Sequence, residues 1–414
     1  MKTIIVGGGP AGMMAALRAS AFGETVLLEK NEKLGKKLYI TGKGRCNVTN
    51  DCSAAELLEN VPRNPKFLCS AVNRFTPGQL KEMLERLGVP LKTERGGRVF
   101  PQSDKSSDII RALVRGLEAA GAEIRTGTEV TGLLTGDGEV TGVITDKGRI
   151  SADAVIMATG GCSYPQTGSD GQGLALVKRA GHGITQLRPA LVPLNTSDSY
   201  VPQLQGLTLK NVSLNAQKGK KLLFSRQGEL LCTHFGLSGP LTLTMSSVLA
   251  PEELAGLDIY IDLKPALSPE QLDNRLIRDF LGCGGRKLKN MLSGLAPSSL
   301  QPVLIGLSGA DGDKRADQLS RKERESLVSV LKHFPVHAVS YRGFNEAIIT
   351  RGGVDVRQVN SSTMESRLIK RLFFAGEMLD VDAFTGGYNL QIAFSSGFLA
   401  GESVGRYAFG ISEN

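Results

Sequence analysis

Residues 2–30, KTIIVGGGPAGMMAALRASAFGETVLLEK, decide the fold. They predict an apolar strand (KTIIV), a glycine turn, a helix and a second strand (TVLLEK), which together form the βαβ opening of a nucleotide-binding domain. The turn matches GxGxxG at Gly7, Gly9 and Gly12. In this motif the first glycine permits the tight turn, the second lets the backbone reach a pyrophosphate, and the third allows close helix packing. Its position between strand and helix favours a dinucleotide site.

An acidic residue, Glu29, follows the turn at the distance where such folds bind the ribose hydroxyls. A carboxylate here opposes a 2′-phosphate, so FAD or NAD is favoured over NADP. Three later segments favour FAD: ATGG at 158–161, FAGE at 374–377 and TGGYN at 385–389. The first two resemble the FAD contact segments of flavoproteins that bind two dinucleotides. A helix predicted after the third would aim free N–H groups at the N1/O2 edge of the flavin ring and stabilise its reduced form.

Composition and charge restrict the classes of protein that fit. The chain has 414 residues, of which 41% are hydrophobic and 22% charged, and a formal net charge of +8 at pH 7. These values indicate a multidomain globular protein with anionic ligands. The chain lacks a run of about 18 apolar residues, so we expect no membrane partner. Six cysteines without a CxxC pair favour a reducing compartment, and we expect a cytoplasmic location.

Neither a metal site nor a nucleic-acid surface is expected. The four histidines lack ligand spacing, and Pro335 interrupts the helix that would bring His333 and His337 together. The Lys/Arg groups at 218–221 and 286–289 have no interleaved aromatic residues that would form a stacking platform. We therefore interpret both groups as solvated faces.

The stretch TGKGRCNVTNDC (41–52) raises three hypotheses: a redox disulfide, a metal clip, or a loop around an anionic cofactor. Flavoprotein reductases that use a disulfide place CxxxxC at a helix start. Here five residues separate Cys46 from Cys52, and Asn47 and Asn50 favour a turn. We therefore favour the loop, with Cys46 as a small packed thiol.

In this loop, each residue type has a predicted role toward the cofactor. Gly42 and Gly44 are expected to approach the cofactor closely. Either Lys43 or Arg45 would neutralise pyrophosphate charge, and Asn47 would hydrogen-bond near the flavin.

Changes of pattern along the chain predict its domains. Short alternating strands at 121–158 predict a small meander before the chain returns to the parallel sheet. Residues 191–267 are then rich in strands, and residues 268–334 are helical. We therefore predict an FAD-binding domain at 1–190 and 335–414, interrupted by a β-rich insert and a helical insert.

Longer motifs resemble the bacterial BaiN-like, or YhiN-like, FAD-dependent oxidoreductases across essentially the whole chain: GKGRCNVTN (42–50), GGRVFPQSDKSSDI (96–109), THFGLSGPLTL (233–243), TRGGVDVRQVNSSTMES (350–366) and FFAGEMLDVDAFTGGYNLQIAFSSG (373–397). The resemblance implies a glutathione-reductase-type FAD-binding Rossmann domain of α/β class, interrupted by a β-barrel-like insertion that carries a helical subdomain. It also implies that NAD(P)H donates a hydride, via flavin N5, to a small organic acceptor with a C=C or carbonyl group. One branch reduces C=C bonds of steroid-like bile acid intermediates, and no motif assigns this sequence to that branch.

The resemblance, added to the motifs above, also implies which residues contact FAD. Val130 is included because the strand after the second crossover usually offers its backbone to adenine. The full set is Gly7, Gly9, Pro10, Ala11, Gly12, Glu29, Lys30, Lys36, Gly42, Lys43, Gly44, Arg45, Cys46, Asn47, Val130, Thr159, Gly160, Gly161, Gly376, Glu377, Asp380, Gly387, Tyr388, Asn389 and Leu390. A second GxGxxG after a predicted strand is missing, so nicotinamide is expected to bind transiently in the cleft.

Hydride transfer at a flavin needs an oriented substrate and an acid that protonates the product. The candidates are Arg98 in GGRVFP, His234 in THFGLSGP and Tyr164 after ATGG, and packing or capping is the structural alternative for each. Two other functions stay open. An RNA-modifying flavoenzyme, suggested by the basic charge, predicts salt-dependent tRNA binding. A flavin redox sensor without turnover predicts bound FAD that nicotinamides reduce very slowly.

Overall fold

Strands and helices are described for residues 1–249, 254–282 and 284–409 from a computed structural model. The strands are β1 (Lys2–Val6), β2 (Glu24–Leu28), β3 (Thr49–Asn50), β4 (Leu91–Glu94), β5 (Arg98–Pro101), β6 (Glu123–Arg125), β7 (Val130–Gly136), β8 (Glu139–Thr145), β9 (Gly148–Ser151), β10 (Ala154–Met157), β11 (Arg188–Ala190), β12 (Leu194–Thr196), β13 (Thr208–Lys218), β14 (Lys221–Cys232), β15 (Gly236–Ser238), β16 (Asp258–Asp262), β17 (Phe334–Val336), β18 (Ala338–Tyr341), β19 (Ile349–Arg351) and β20 (Leu372–Phe374). The helices are α1 (Pro10–Ala19), α2 (Lys36–Ile40), α3 (Ala54–Glu59), α4 (Cys69–Arg74), α5 (Pro77–Arg86), α6 (Ser106–Ala119), α7 (Gln172–Arg179), α8 (Pro240–Leu249), α9 (Pro269–Leu281), α10 (Gln301–Ser308), α11 (Arg321–Lys332) and α12 (Tyr388–Ala408).

The chain divides into two compact units, Met1–Ala190 with the chain from Phe344 onward, and Leu191–Gly343. The first unit contains a five-stranded parallel sheet with the order β20-β10-β1-β2-β6. β10 is buried along its whole length, as a strand covered on both faces should be. β1 lies where the strand order reverses, which is where doubly wound sheets bind nucleotides. The α/β class and the Rossmann-type domain are therefore confirmed.

Three smaller antiparallel sheets complete the strands around this core, and the smallest of them is the pair β11-β19. The antiparallel sheet β7-β8-β9 lies in sequence between β6 and β10, where the sequence predicts a meander. Strands β3, β5 and β4 form a second antiparallel sheet. The short strand β3 follows the 41–47 loop. Its residue Thr49 lies next to Gly387 at the start of α12.

The second unit contains a seven-stranded antiparallel sheet with the order β17-β16-β13-β14-β15-β12-β18. The two edge strands, β17 and β18, are joined only by His337, so the sheet curves back on itself like a barrel. Helices α9, α10 and α11 share one hydrophobic core with this sheet. The unit extends to Gly343, past the predicted end at 334, because β17 and β18 pair within it.

Among the described residues, no helix is both long enough and apolar enough to cross a membrane.

Glycines let α1 and α12 approach each other closely in the first unit. A Cβ on Gly397 would lie 2.2 Å from the Ala11 carbonyl oxygen, and one on Gly401 would lie 2.4 Å from the Ala15 carbonyl oxygen. Neither contact leaves room for a methyl group, because overlaps with backbone are relieved only when a helix moves. These glycines hold the first turn of α1 in place through α12.

We expect Gly397→Ala to lower the free energy of unfolding by about 2–3 kcal/mol, the usual cost of overpacking a tight core. The matched control is Gly78→Ala in α5, where a new Cβ would meet only Thr76 Oγ1 at 3.8 Å. This control should keep or slightly raise stability, since alanine favours helix more than glycine does. Thermal unfolding midpoints measure both changes. Equal midpoints for the two variants would contradict the packing described for α1 and α12.

Candidate active site

The turn between β1 and α1 places its three motif glycines in different surroundings. A Cβ on Gly7, which has φ of 106°, would lie 2.6 Å from the Ala158 carbonyl oxygen, and one on Gly12 would lie 1.9 Å from the Gly7 carbonyl oxygen. Both glycines therefore serve close packing of the turn. A Cβ on Gly9 would meet nothing within 4 Å, and its φ of −77° and ψ of −178° suit any residue. Gly9 thus faces open space that a ligand can enter.

A cavity begins at this turn and ends at the N-terminus of α12. Its walls belong to the first unit and include the ends of β1, β2 and β10, where parallel strands present their carboxyl ends. It is lined by residues 6–11, 28–31, 35–38, 128–130, 158–160 and 167–170, with Thr41, Gln172, Gly173, Leu176, Ile348, Ile349, Glu377, Val381, Asn389, Leu390, Ile392 and Ala393.

Glu29 follows β2 and lies largely buried in the cavity wall. Its Oε2 accepts a hydrogen bond from the Gly8 N–H at 2.7 Å. Its Oε1 accepts two from Asn31, from the N–H at 2.8 Å and from Nδ2 at 2.6 Å. These bonds fix the carboxylate, and Oε2 keeps a lone pair for a further donor such as a ribose hydroxyl.

Two hydroxyl groups in the cavity wall are buried without a hydrogen-bond partner among the described residues: Thr159 Oγ1 and Ser169 Oγ. A buried polar group is costly unless something satisfies it. Together with the open space at Gly9 and the free acceptor on Glu29, these hydroxyls fit an elongated polar ligand. The residues present therefore fit FAD.

The other end of the cavity is formed by the start of α12, where Asn389 and Leu390 line the wall. The first intrahelical bond there runs from the Gln391 N–H to the Gly387 carbonyl, so the N–H groups before Gln391 have no partner within the helix. Gly387 has φ of 98°, and a Cβ there would lie 2.3 Å from the Thr49 carbonyl oxygen. This glycine allows α12 to begin against β3.

A polar cluster joins four segments behind the cavity wall, which its members Lys37 and Glu377 line. Glu377 accepts hydrogen bonds from the Ser163 hydroxyl at 2.6 Å and the Thr350 N–H at 2.8 Å, and pairs with the Lys37 ammonium at 2.5 Å. Lys37 also donates to Ser163 Oγ at 2.5 Å. Thr350 Oγ1 accepts the Ser163 N–H at 3.1 Å. The cluster orients the carboxylate of Glu377 and balances its charge at the wall.

The family model for the HI0933-like protein Rossmann domain matches residues 1–403. The chain belongs to the HI0933-like family. The 3-dehydro-bile acid delta(4,6)-reductase of Clostridium scindens is 32% identical and covers 97% of this chain and 98% of its own. The ribosomal RNA dihydrouridine synthase of Escherichia coli is 30% identical and covers 97% of each chain. The resemblance to BaiN-like and YhiN-like enzymes is confirmed, and this HI0933-like protein is an FAD-dependent oxidoreductase.

Two solved structures show the same fold as this HI0933-like protein. The 3-ketosteroid delta1-dehydrogenase of Sterolibacterium denitrificans superposes with a TM-score of 0.54 at 12% identity and covers 98% of this chain and 99% of its own. A flavocytochrome c3 fumarate reductase superposes with a TM-score of 0.51 at 17% identity and covers 98% of this chain and 78% of its own. At these identities the likeness concerns the fold alone.

The structure divides the predicted FAD contacts of the HI0933-like protein into two groups. Those that line the cavity are Gly7, Gly9, Pro10, Ala11, Glu29, Lys30, Lys36, Val130, Thr159, Gly160, Glu377, Asn389 and Leu390. Those that lie outside its lining are Gly12, Gly42, Lys43, Gly44, Arg45, Cys46, Asn47, Gly161, Gly376, Asp380, Gly387 and Tyr388.

Several members of the second group serve packing or internal charge pairs. A Cβ on Gly161 would lie 2.4 Å from Thr350 Oγ1. Arg45 forms ion pairs with Glu94 and Asp104. The nearly fully buried carboxylate of Asp380 pairs with an arginine, Arg63, at 2.5 Å and 2.6 Å. The charges of Arg45 and Asp380 are thus used within the protein rather than at the cavity.

The three predicted catalytic residues lie outside the cavity lining. Arg98 is exposed on β5. Tyr164 is half-buried, and this burial raises the pKa of its phenol. His234 belongs to the second unit, where its exposed ring packs edge-on against Phe235 with 5.0 Å between ring centroids.

Sequence reasoning missed Lys37 and the segment at 167–170. Lys37 follows Lys36 directly, and both line the cavity because α2 runs along its wall. The segment opens the stretch TGSDGQG (167–173), which combines glycines and hydroxyl groups as ATGG does. The sequence alone could therefore have indicated that residues 167–170 contact the cofactor. Its Asp170 also pairs with Lys30 at 2.7 Å.

Cysteine chemistry at Cys46 and Cys52 is disfavoured in the HI0933-like protein. Cys46 and Cys52 are both free thiols, and Cys46 is fully buried. Burial raises the pKa of Cys46 to about 12 and, with nearby carboxylates, that of Cys52 to about 11. Since the thiolate is the reactive form, neither group is activated near neutral pH.

We therefore expect iodoacetamide at pH 8 to leave Cys46 unmodified in the native protein and to label the exposed Cys69. In guanidinium chloride both should react, because unfolding returns the Cys46 pKa to its ordinary range. Peptide mass spectrometry of native and denatured samples measures this. Rapid labelling of Cys46 in the native protein, or a peptide with a disulfide from Cys46 to Cys52, would contradict the assignment of both residues as free thiols that are not activated.

Proposed function

We propose that this protein uses NAD(P)H to reduce a C=C bond conjugated to a carbonyl group in a small organic acceptor. The observation that carries the proposal is the cavity from Gly9 to the start of α12, whose lining fits FAD. The activities of two full-length relatives support the reaction class. A 3-dehydro-bile acid delta(4,6)-reductase and a dihydrouridine synthase both convert a conjugated C=C bond into a single bond.

The residues of this chain would hold the cofactor along the cavity. The start of α1 at Gly9 suits a pyrophosphate, because free N–H groups and the helix dipole favour an anion. Glu29 suits the adenosine ribose, and Glu377, fixed by its polar cluster, suits the ribityl chain. The unpaired N–H groups at the start of α12 would favour negative charge at the far end. When bound there, FAD would supply the hydride-transfer chemistry between reduced nicotinamide and the acceptor.

The reaction adds a hydride to the carbon β to the carbonyl and a proton to the α carbon, while the nicotinamide is oxidised. A proton donor is therefore needed beside the acceptor. Tyr164 is proposed for this role because it follows Ser163, whose hydroxyl donates a hydrogen bond to Glu377 of the cavity wall. Arg98 is proposed to orient the carbonyl. We also propose that the protein works in the cytoplasm, where thiols stay reduced.

The donor is tested by mixing the FAD-loaded protein anaerobically with NADH or NADPH in a stopped-flow instrument. We expect the flavin absorbance band to bleach with at least one of them at a rate compatible with turnover. A flavin that stays oxidised with both nicotinamides would contradict the NAD(P)H assignment and favour the redox sensor.

A second candidate is the reduction of uridine in ribosomal RNA. Two relatives that match over the full length carry that activity, those of Escherichia coli and Haemophilus influenzae, each 30% identical to this chain. The net charge of +8 also favours a polyanion. However, Lys287 and Lys289 in one predicted basic group both pair with Asp313, which lowers the charge available there.

The two candidates are separated by offering the reduced protein a steroid enone and purified ribosomal RNA in parallel. Mass spectrometry of the steroid and of the nucleosides released from RNA detects each product. We expect the saturated steroid to form. Dihydrouridine without a saturated steroid would select the RNA function instead.

A further inference from the structure

A groove lies at the C-terminal ends of α1 and α12, within the first unit. Its volume of 470 Å³ falls in the range of roughly 300–1,000 Å³ that is usual for small-molecule sites. Leu390 of α12 lines the FAD cavity, whereas Glu402 of the same helix lines the groove. These two residues lie about 18 Å apart along the helix axis. The groove is therefore a site separate from the FAD cavity.

The polar side of the groove carries more positive than negative charge. Glu402 accepts hydrogen bonds from Arg18 Nη2 at 2.8 Å and Arg74 Nη2 at 2.7 Å, and Arg74 Nε donates to its second oxygen. Within the described part of the chain, neither of these two arginines pairs with another carboxylate. A further arginine, Arg406, also lines the groove. This excess of guanidinium groups over carboxylates favours an anionic ligand.

The geometry of these arginines suits a phosphate group. The Arg18 guanidinium lies 5.0 Å from the ring centroid of Phe22 and 5.3 Å from that of Phe398, and these contacts restrain it. The Arg74 side chain is 59% exposed, and Glu402 uses only two of its five N–H groups. The remaining N–H groups of Arg74 can therefore reach a ligand. Arginine binds phosphate through such paired hydrogen bonds.

The apolar side of the groove is aromatic. Phe409 is 69% exposed, and its ring packs edge-on against Phe22 with 6.0 Å between the ring centroids. Phe22 in turn packs directly on α12, since a Cβ on Gly405 would lie 2.7 Å from Phe22 Cδ1. An exposed ring held at its edge offers its face for stacking with a planar ligand. Two residues with hydroxyl groups, Ser70 and Ser362, also line the groove.

We propose that this groove binds a nucleoside monophosphate. The phosphate would bind Arg74 and Arg406, and the base would stack on Phe409. The ribose hydroxyls would hydrogen-bond to Ser70 and Ser362. Neither a saturated steroid nor an inorganic anion offers a planar ring together with an anionic group. The inference does not depend on the proposed function, because hydride transfer requires contact between the reacting groups and the groove lies too far from the FAD cavity.

The test titrates the FAD-loaded protein with adenosine 5′-monophosphate (AMP) and with adenosine by calorimetry. We expect AMP to bind at least about tenfold more tightly than adenosine, because its phosphate adds charge-assisted hydrogen bonds. Arg74→Gln should raise the Kd of AMP about tenfold and leave that of adenosine unchanged. Phe409→Ala should raise both Kd values about tenfold, because stacking is lost. The control Arg86→Gln removes an exposed arginine that pairs with Glu82 on α5 and should change neither value.

Thermal unfolding of each variant checks that it is folded. Phe409→Ala leaves the ion pairs of Glu402 in place, so it tests the site even if Arg74→Gln is unstable. Binding of AMP only to the FAD-free protein would place the nucleotide in the FAD cavity and overturn the proposal. Equal Kd values for AMP and inorganic phosphate would also overturn it, since the base would then contribute nothing. Failure of the wild type to bind AMP would show that the arginines only tie α1, α4 and α12 together.

Discussion

Replacing Gly9 with valine should weaken FAD binding at least ~100-fold and leave the fold intact. The valine Cβ would meet no protein atom within 4 Å, and the backbone angles at Gly9 already suit a β-branched residue. The new methyl groups would instead fill the space where the first turn of α1 must approach the pyrophosphate. Overlap with a ligand costs about 3 kcal/mol or more, so the Kd for FAD should rise at least ~100-fold.

The contrasting variant is Gly12→Val. Its Cβ would lie 1.9 Å from the Gly7 carbonyl oxygen, so the damage falls on the protein itself. We expect the thermal unfolding midpoint of the apoprotein to fall by roughly 6–12 °C, the shift that ~3 kcal/mol produces in a unit of this size. For Gly9→Val the apoprotein midpoint should stay within about 2 °C of the wild type. Normal FAD binding by Gly9→Val would show that the cofactor lies elsewhere.

Glu377→Gln should weaken both stability and FAD binding. The substitution leaves the Lys37 ammonium without its counter-charge in a wall where the two side chains are each only 21% exposed. Loss of a partner from a fully buried pair costs about 3–5 kcal/mol, and the partial exposure here reduces this to about 1–3 kcal/mol. We also expect FAD to bind about tenfold more weakly, since the carboxylate that suits the ribityl hydroxyls is gone.

A double variant, Lys37→Met with Glu377→Gln, separates the two effects. Removing both charges should restore most of the unfolding midpoint, because no unpaired charge remains at the wall. FAD affinity should stay low, because the carboxylate is still missing. Thermal unfolding of the apoprotein and fluorescence titration with FAD measure the two quantities. Full recovery of FAD affinity in the double variant would contradict a direct role for Glu377.

Local sequence patterns predicted the parts of this site that form within a short stretch of chain. The strand, the turn at Gly9 and the helix α1 follow one another, and Glu29 comes one strand later, so spacing alone places them. The meander before β10 was also predictable, because alternation of apolar residues is a local signal.

The pairings that depend on distant parts of the chain were not predictable in this way. Glu377 meets Lys37 and Ser163 only because the parallel sheet brings their segments together. Arg45 was predicted to face the cofactor, and its partners Glu94 and Asp104 lie far along the chain. The sequence near Arg45 therefore does not predict that Glu94 and Asp104 are its partners. A charged residue in a glycine-rich loop is therefore easily predicted to contact a cofactor, but the sequence does not show which group it pairs with.

The measurement that tests the account most directly is a single turnover with the FAD-loaded protein. The flavin is reduced by light under anaerobic conditions and then mixed with a steroid 4-en-3-one, while absorbance and product mass are followed. We predict that the flavin band returns and that the steroid gains two hydrogen atoms across its C=C bond. A flavin that stays reduced with the steroid would contradict the account, and reoxidation by ribosomal RNA alone would select the RNA function instead.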